Sequence, residues 1–476
     1  MTATTAALAA APSHEDKEPR VPRNVRLVRS RVSILGNHEW YRQTKDGIVV
    51  AGAWWGRHID KDNNVTVWDG RRNVSKLNRT EPKISVDEAT RSVASLAQTS
   101  RGALSNTSIT KTSVMVLPRL KTTSGPRLVW AVDSEGGEGA RTSYVDAVTG
   151  KVLLTRLSDK KASQDSDDKF SVQGNGKVFN PNPVVKLQDQ SLTDQKDSKE
   201  AVPPAGYSMR PLRRLDYSHS LRGRWVRIMN DDRATSGNNT YLYTRDDPRF
   251  EQVVAYEAVD TVQGFLQRLG FIDVNAESQK MFINTIPDDN SYYNPSSDTI
   301  TMGRGGVDDA EDPEVVWHEY GHAVQDDQVL DWGWSRQGRA MGEGFGDYLA
   351  VTMSQPTAAD TAITPAACVM DWDAVSYTSR APHCLRRTDG NKHFPEDLVG
   401  QEHDDGEIWS RALWDINQTL GRNMATRIIV EAHFWMNPRS RMPNAAHKTV
   451  RIAQRLHQDP AITQAVRQAF LDRRIL

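Results

Sequence analysis

Cysteine is almost absent from this chain: its 476 residues hold two, Cys368 and Cys384. They sit sixteen apart in one polar, Pro-containing segment, which is not the spacing of a zinc knuckle. A local disulfide is the favoured use and two free thiols the alternative. Closing that loop would stabilise the fold by about 3 kcal/mol in the chain-entropy model, and a disulfide points to an extracellular or periplasmic destination. Long apolar runs are absent as well, none approaching the ~20 residues of a membrane span. Nor is there an excess of one charge: 60 Lys and Arg face 61 Asp and Glu, mixed along the sequence. With no basic block and no polybasic tail, neither nucleic acid nor an anionic membrane is expected as a partner. A secretory leader is missing too. Met1 to Pro12 is Thr/Ala-rich, with Ala6 to Ala11 as its one apolar stretch and no basic n-region. A start further upstream, a trimmed chain, unconventional export and an intracellular protein all stay open.

What is present divides into parts. The length suits about three domains. Residues 1–25 are polar and Pro-containing, as a disordered N-terminus is. From Leu27 short strands follow, with a hairpin from His58 to Gly70 that turns at Asp62-Asn63-Asn64. Trp40, Tyr41, Trp54, Trp55 and Trp68 read as sheet-packing residues. Val86, Ala89, Val93 and Leu96 fall at helical spacing and Ser85 with Glu88 forms a capping-box pattern, so a helix is expected over 85–99. Further strands make 26–156 an α+β unit. Residues 157–170 are polar and charged, the expected linker and cleavage region. Short strands then precede a strong helix at 250–269 with a core stripe of Val254, Ala258, Val262 and Phe265. Helices are expected again at 408–420, 424–433, 443–456 and 462–470.

The chemistry concentrates at 313–325. His318, Glu319 and His322 form an H-E-x-x-H pattern. On a helix the two imidazoles face one side a turn apart and can share one zinc ion at about 2.1 Å each. Glu319 is placed to take a proton from an attacking water. Glu343, 25 residues after His318, supplies a third ligand and leaves one position open, as a catalytic zinc site requires. Asp347 follows Glu343 by four and is a candidate to accept the second N–H of a zinc-bound histidine.

These and neighbouring residues carry a family resemblance. Leu35-Gly-x-His-x-x-Tyr-x-Gln and Tyr144-Val-Asp-Ala-x-Thr-Gly-x-Val look like the propeptide shared by fungalysin- and thermolysin-type proteases, with its PepSY-like second part. The catalytic half is similar to fungalysin and more distantly to thermolysin, both gluzincins. Asn290-Ser291-Tyr-Tyr-Asn resembles the strand that holds substrate through the asparagine side chain and the next carbonyl. Leu385-Arg386-Arg resembles the segment whose arginine binds a peptide carbonyl. His403-Asp-Asp-Gly-Glu-Ile-Trp resembles the segment whose histidine stabilises the tetrahedral intermediate. Two departures stand out. The tyrosine expected about eleven residues after His322 is missing, with Trp332 and Trp334 there instead, and calcium ligands of the thermolysin type are not evident.

The resemblance implies an α+β propeptide over 26–156 and a two-lobed thermolysin-like catalytic domain. A mixed α/β lobe would span 171–325, a mainly helical lobe 326–476, with zinc in the cleft between. It implies one Zn2+ held by His318, His322 and Glu343, with Glu319 and His403 catalytic and Asp347 behind a ligand. It also implies a protein or peptide substrate, an intramolecular propeptide acting as inhibitor and folding assistant, a monomer, and secretion. Specificity is expected from a hydrophobic pocket beside the zinc. Two rival readings are a processing peptidase dedicated to one partner peptide, and a non-catalytic zinc-binding or inhibitory protein. The intact Glu319 counts against the second.

Overall fold

The computed structural model describes residues 19–77, 80–99, 108–136, 139–157 and 169–476. Most of the stretch 1–25 and of the linker 157–170 lies outside the described residues. The N-terminal region is an eight-stranded sheet. Its first part holds β1 (Val25–Val32), β2 (Gly36–Lys45), β3 (Ile48–Asp60) and β4 (Val65–Asp69). Its second part holds β5 (Ser108–Leu117), β6 (Arg127–Gly136), β7 (Gly139–Asp146) and β8 (Val152–Leu157). One parallel register pair, Val50 with Val116, joins the two parts. Helix α1 (Val86–Thr99) packs on the second part. Its capping box forms as the sequence pattern requires: Ser85 N–H and hydroxyl donate to Glu88, and Glu88 N–H donates back to Ser85 Oγ.

After a second, three-stranded sheet of β9 (Val172–Phe179), β10 (Tyr207–Leu215) and, later, β12 (Thr240–Tyr241), the chain reaches its central elements. A short helix α2 (Pro183–Leu187) and strand β11 (Val226–Ile228) lie between these strands. Helix α3 (Phe250–Arg268) is buried on nearly every side, with Glu251, Gln252, Glu257, Asp260 and Gln263 buried beside its apolar stripe. A four-stranded sheet runs in the order β11, β13 (Gln279–Ile286), β15 (Thr299–Gly303), β14 (Tyr292–Asn294), which leaves β14 on its edge. Helices α4 (Pro313–Gln328) and α5 (Arg336–Ser354) follow. A small ribbon of β16 (Cys368–Val369) and β17 (Arg386–Arg387) is closed by the Cys368–Cys384 disulfide. Helices α6 (Glu402–Leu420), α7 (Arg422–Phe434), α8 (Met442–Leu456) and α9 (Pro460–Asp472) complete the chain. Helix α4 continues three residues past the boundary expected at 325, and α6 begins six residues before the expected 408.

The N-terminal sheet and the rest of the chain share one core. Trp40 and Trp54 are buried in the same apolar cluster as Phe250, Trp317 and Trp409. Around it lies a belt of ion pairs. Arg29 meets Asp326, Arg31 forks onto Asp327 at 2.8 and 3.0 Å and reaches Glu277 at 3.1 Å, and Arg42 meets Asp331. Asp326 and Asp327 occupy the last turn of α4, where the helix dipole disfavours negative charge. The arginines of β1 therefore offset both that dipole and the cost of burying the carboxylates. On the other side, Glu431 of α7 accepts from Ser33 Oγ at 2.7 Å and from the backbone N–H groups of Ile34 and Leu35.

Candidate metal centre and its cleft

Helix α4 starts where its sequence directs. Asp312 caps it by accepting from Glu314 N–H at 3.0 Å, and Pro313 takes the first helical position, where no N–H is needed. Helix α5 starts at Ser335, whose hydroxyl accepts from Gly338 N–H at 2.8 Å. The two helices then approach closely because Gly346 has no side chain. A Cβ there would lie 2.6 Å from His318 Nδ1. Gly406 has the same use on α6, where a Cβ would come within 2.9 Å of the Glu343 Cβ.

This packing brings the three expected ligands together. His318 Nε2 lies 3.2 Å from His322 Nε2 and 3.2 Å from Glu343 Oε2, and His322 Nε2 lies 3.5 Å from Glu343 Oε1. Donors about 2.1 Å from one tetrahedral ion stand ~3.4 Å apart, so the set fits zinc. Asp347 Oδ1 accepts from His318 Nδ1 at 2.9 Å, which leaves Nε2 as the ligand atom. Electrostatics agree. Burial pushes the His318 imidazole down, but Asp347 and Glu343 outweigh it and raise it to about 10. Burial opposes charge on Glu343 and Asp347 too, yet the two histidines hold Glu343 far below the carboxylate range, and Arg386 with His318 holds Asp347 at about 2. Burial lowers His322 to about 4. Glu343 and the neutral His322 imidazole thus face His318 Nε2, in the place a cation would take, while Asp347 holds Nδ1 behind it.

Glu319 lies on the same cleft, its carboxyl raised to about 7 by burial. One oxygen hydrogen-bonds to the backbone of Tyr293 in β14, while Oε2 is buried with no partner. His403 stands in the first turn of α6, not in a loop, with its Nε2 3.3 Å from Glu343 Oε2. Its tautomer follows from Gln401. The Gln401 carbonyl oxygen accepts from Asp404 N–H at 2.7 Å as the helix cap, so its amide nitrogen donates to His403 Nδ1, also at 2.7 Å. The proton of His403 therefore sits on Nε2, facing the centre. Gln401 is a functional residue that the sequence reading missed.

Asn290 and Ser291 line the cleft beside edge strand β14. The Ser291 hydroxyl donates to Asp309. Arg386 also lines the cleft, but its Nε and Nη2 clamp Asp347 at 2.8 and 2.7 Å, a tie behind the metal ligand that the sequence did not indicate. Where the tyrosine is missing, Trp332 lines the cleft, its indole nitrogen buried and without a partner, while Trp334 lies over Gly52 of β3. The N-terminal sheet reaches the same cleft: Arg141 and Thr155 are part of its wall, and β7 packs beside β14. The cavity measures about 800 Å³. Its wall mixes polar and apolar residues. Asp309 and Asp373 line the cleft, as do Val315, Met370 and Leu385.

Residues 300–474 match the family described as fungalysin metallopeptidase (M36), a family of metalloendopeptidases that use zinc and are typically secreted. The match begins in β15 and covers the metal centre, α5 and His403. No curated relative matches the chain. Among solved structures, the Bacillus megaterium YpeB C-terminal domain is similar at 11% identity and a TM-score of 0.20, over 28% of this chain and 56% of that one. The chain thus spans about half the length of that structure, and a likeness at that score bears on neither fold nor function. No helix among the described residues is long and apolar enough to cross a membrane.

Proposed function

We propose that this chain, a fungalysin-like metallopeptidase over residues 300–474, is a zinc endopeptidase made as a zymogen whose N-terminal region covers its own cleft. The observation that carries the reading is the set of three donor atoms 3.2–3.5 Å apart with Glu319 beside them on an open cleft. When bound, zinc would supply Lewis acidity to a water and to the scissile carbonyl. His318, His322 and Glu343 would hold it, with Asp347 fixing the His318 ring and Arg386 fixing Asp347. Glu319, its carboxyl near neutrality, takes the proton of the attacking water and returns it to the leaving amine. The Nε2–H of His403 donates to the oxyanion. Strand β14, last in the strand order of its sheet and preceded by Asn290 and Ser291, is the element an extended substrate backbone would lie along.

Covering by the N-terminal region is supported by the shared tryptophan core, by the arginine belt, and by Arg141 and Thr155 in the cleft wall. The reading places the protein outside the cell, in line with the family's habit and the Cys368–Cys384 bond. The test is Glu319→Gln in the full chain. Zinc content should stay at that of the wild type while peptide hydrolysis and self-cleavage fall by about 10²–10⁴-fold. Hydrolysis retained at the wild-type rate, and abolished by a chelator in neither protein, would sink the mechanism.

A further inference from the structure

The cleft has a second chemical character besides its metal centre. One carboxylate oxygen from each of Asp289, Asp309 and Asp373 lies within 4.8 Å of the others. Asp309 and Asp373 are each 3% exposed and both line the cleft. Some of their oxygens are served: Asp309 Oδ2 accepts from Ser291, and Asp289 Oδ1 accepts from the Tyr377 hydroxyl at 2.8 Å. Asp309 Oδ1 and Asp373 Oδ1 are buried and accept from nothing. Among the described residues no lysine or arginine forms an ion pair with any of the three. The cation whose field reaches Asp373 is Arg386, and its Nε and Nη2 are held by Asp347. Grouped, desolvated carboxylates without a counter-charge are costly, and removal of that cost requires a cation from outside the fold.

We infer that this pocket receives the lysine or arginine side chain of a substrate residue next to the cleaved bond, so that the enzyme selects basic peptides; the inference rests on the peptidase reading above. The walls favour a side chain over a metal ion. Val315, Met370 and Leu385 line the same cleft as Asp309 and Asp373 and offer apolar surface to a methylene stem. An ammonium has three donors to distribute among carboxylates of this spacing. Calcium takes about six to eight oxygens at roughly 2.3–2.6 Å, and the group offers three carboxylates, two of which already accept hydroxyls. The charge also lies close to the chemistry, since Asp309 acts electrostatically on Glu319. A bound cation would neutralise that influence at the moment substrate is present. Residue spacing offers little sign of the pocket, because the Asp288-Asp289 pair resembles turn chemistry and Asp373 follows 64 residues after Asp309.

The test uses the full chain, incubated with zinc until any self-cleavage is complete, and a peptide set in which the residues on either side of one bond are varied. We expect kcat/KM for bonds flanked by lysine or arginine to exceed that for the methionine peptide by 10-fold or more. In Asp373→Asn the ratio of the two rates, measured side by side in the same preparation, should drop to near one. Equal rates for lysine and methionine in the wild type overturn the inference, as does a ratio that Asp373→Asn leaves intact. So does a thermal shift on adding calcium alone that Asp373→Asn abolishes, because the group would then be a divalent-cation site. If no peptide is cut, the peptidase reading has failed, and the Glu319→Gln chain decides the pocket by binding. Fluorescence anisotropy should then show the lysine peptide bound about 10-fold more tightly than the methionine peptide, and equal affinities overturn the pocket.

Discussion

Asp326, Asp327 and Asp331, at and just beyond the C-terminal end of α4, each meet an arginine from β1 or β2. Asp309, ahead of the same helix, groups with Asp289 and Asp373 and meets none. Both groups hold buried carboxylates, and burial has the same cost in each. What differs is the origin of the counter-charge. At the C-terminal end it comes from the N-terminal sheet, so fixed chain geometry satisfies it. On the cleft side it is left to something that arrives. In the reading proposed above, one acidic group would serve as a docking surface and the other as a recognition surface, before and after the same helix. Release of the N-terminal region would turn the first into an exposed acidic patch and leave the second as it was.

The largest expected effect comes from breaking the paired group. Arg31→Ala leaves Asp327 buried opposite nothing of its former partner, and loss of one side of a buried pair costs about 3–5 kcal/mol. Chemical denaturation of the full chain should show that loss as a lower midpoint, together with faster proteolysis of the N-terminal sheet. An unchanged midpoint would mean that the belt is ornament and that the apolar core around Trp40 alone fixes the docking.

A smaller effect acts on the same interface without touching the arginines. His38 and His58 face each other across the β2–β3 pair with their Nδ1 atoms 2.7 Å apart, packed by Phe434 and Trp435. Burial lowers His38 to about 3 and His58 well below its ordinary value of 6.5. Both are therefore neutral in the folded chain and take up protons on unfolding below their ordinary value. The stability they allow is fully present above pH 6.5 and is lost as pH falls from there toward 3, at most about 1.4 kcal/mol per pH unit for each histidine. Two charged groups face the pair. Lys448 of α8 adds to the repulsion, and Glu431, reached through Ser33, is raised by burial and offsets part of the loss as it takes up a proton. Thermal unfolding of the full chain should show a falling Tm from pH 7 to 5, and the double variant His38→Gln, His58→Gln should flatten that profile. A wild-type profile flat over this range would remove the histidines from the docking.

What could be read in advance follows the reach of the interactions. The ligand set was legible because helical spacing fixes His318 against His322, and because Glu343 and Asp347 repeat that spacing on the next helix. The Ser85–Glu88 box was legible for the same local reason. Helix α6 was read late because Glu402, Asp404 and Asp405 hide its apolar periodicity, although acidic residues suit a first helical turn. The His38–His58 pair needed the hairpin register, which residue spacing alone left open. Arg386 and the acidic pocket were out of reach for a different reason. Their partners come from separate segments, and only the packing of β17 against α5 and of the disulfide-bridged segment against the residues before α4 brings them together.

The smallest effect sharpens the comparison most, because its sign should reverse between the two groups. Burial raises Asp309 from 3.8 to about 7. The unfolded chain gives up that proton near 3.8 and the folded chain holds it to about 7, so the carboxyl lowers stability progressively between those values and by its full amount above them. Asparagine keeps an oxygen for the Ser291 hydroxyl and carries no charge to desolvate. Asp309→Asn should therefore raise Tm at pH 8 by about 2 °C, the shift of ~1 kcal/mol in a chain of this size, with little gain at pH 4. Asp327→Asn should lower Tm at both pH values, since it strips Arg31 of its main partner. Scans of both variants at the two pH values decide the matter. If Asp309→Asn destabilises at pH 8 as Asp327→Asn does, the fold already supplies a counter-charge to the cleft group, and the two acidic clusters are one kind of device.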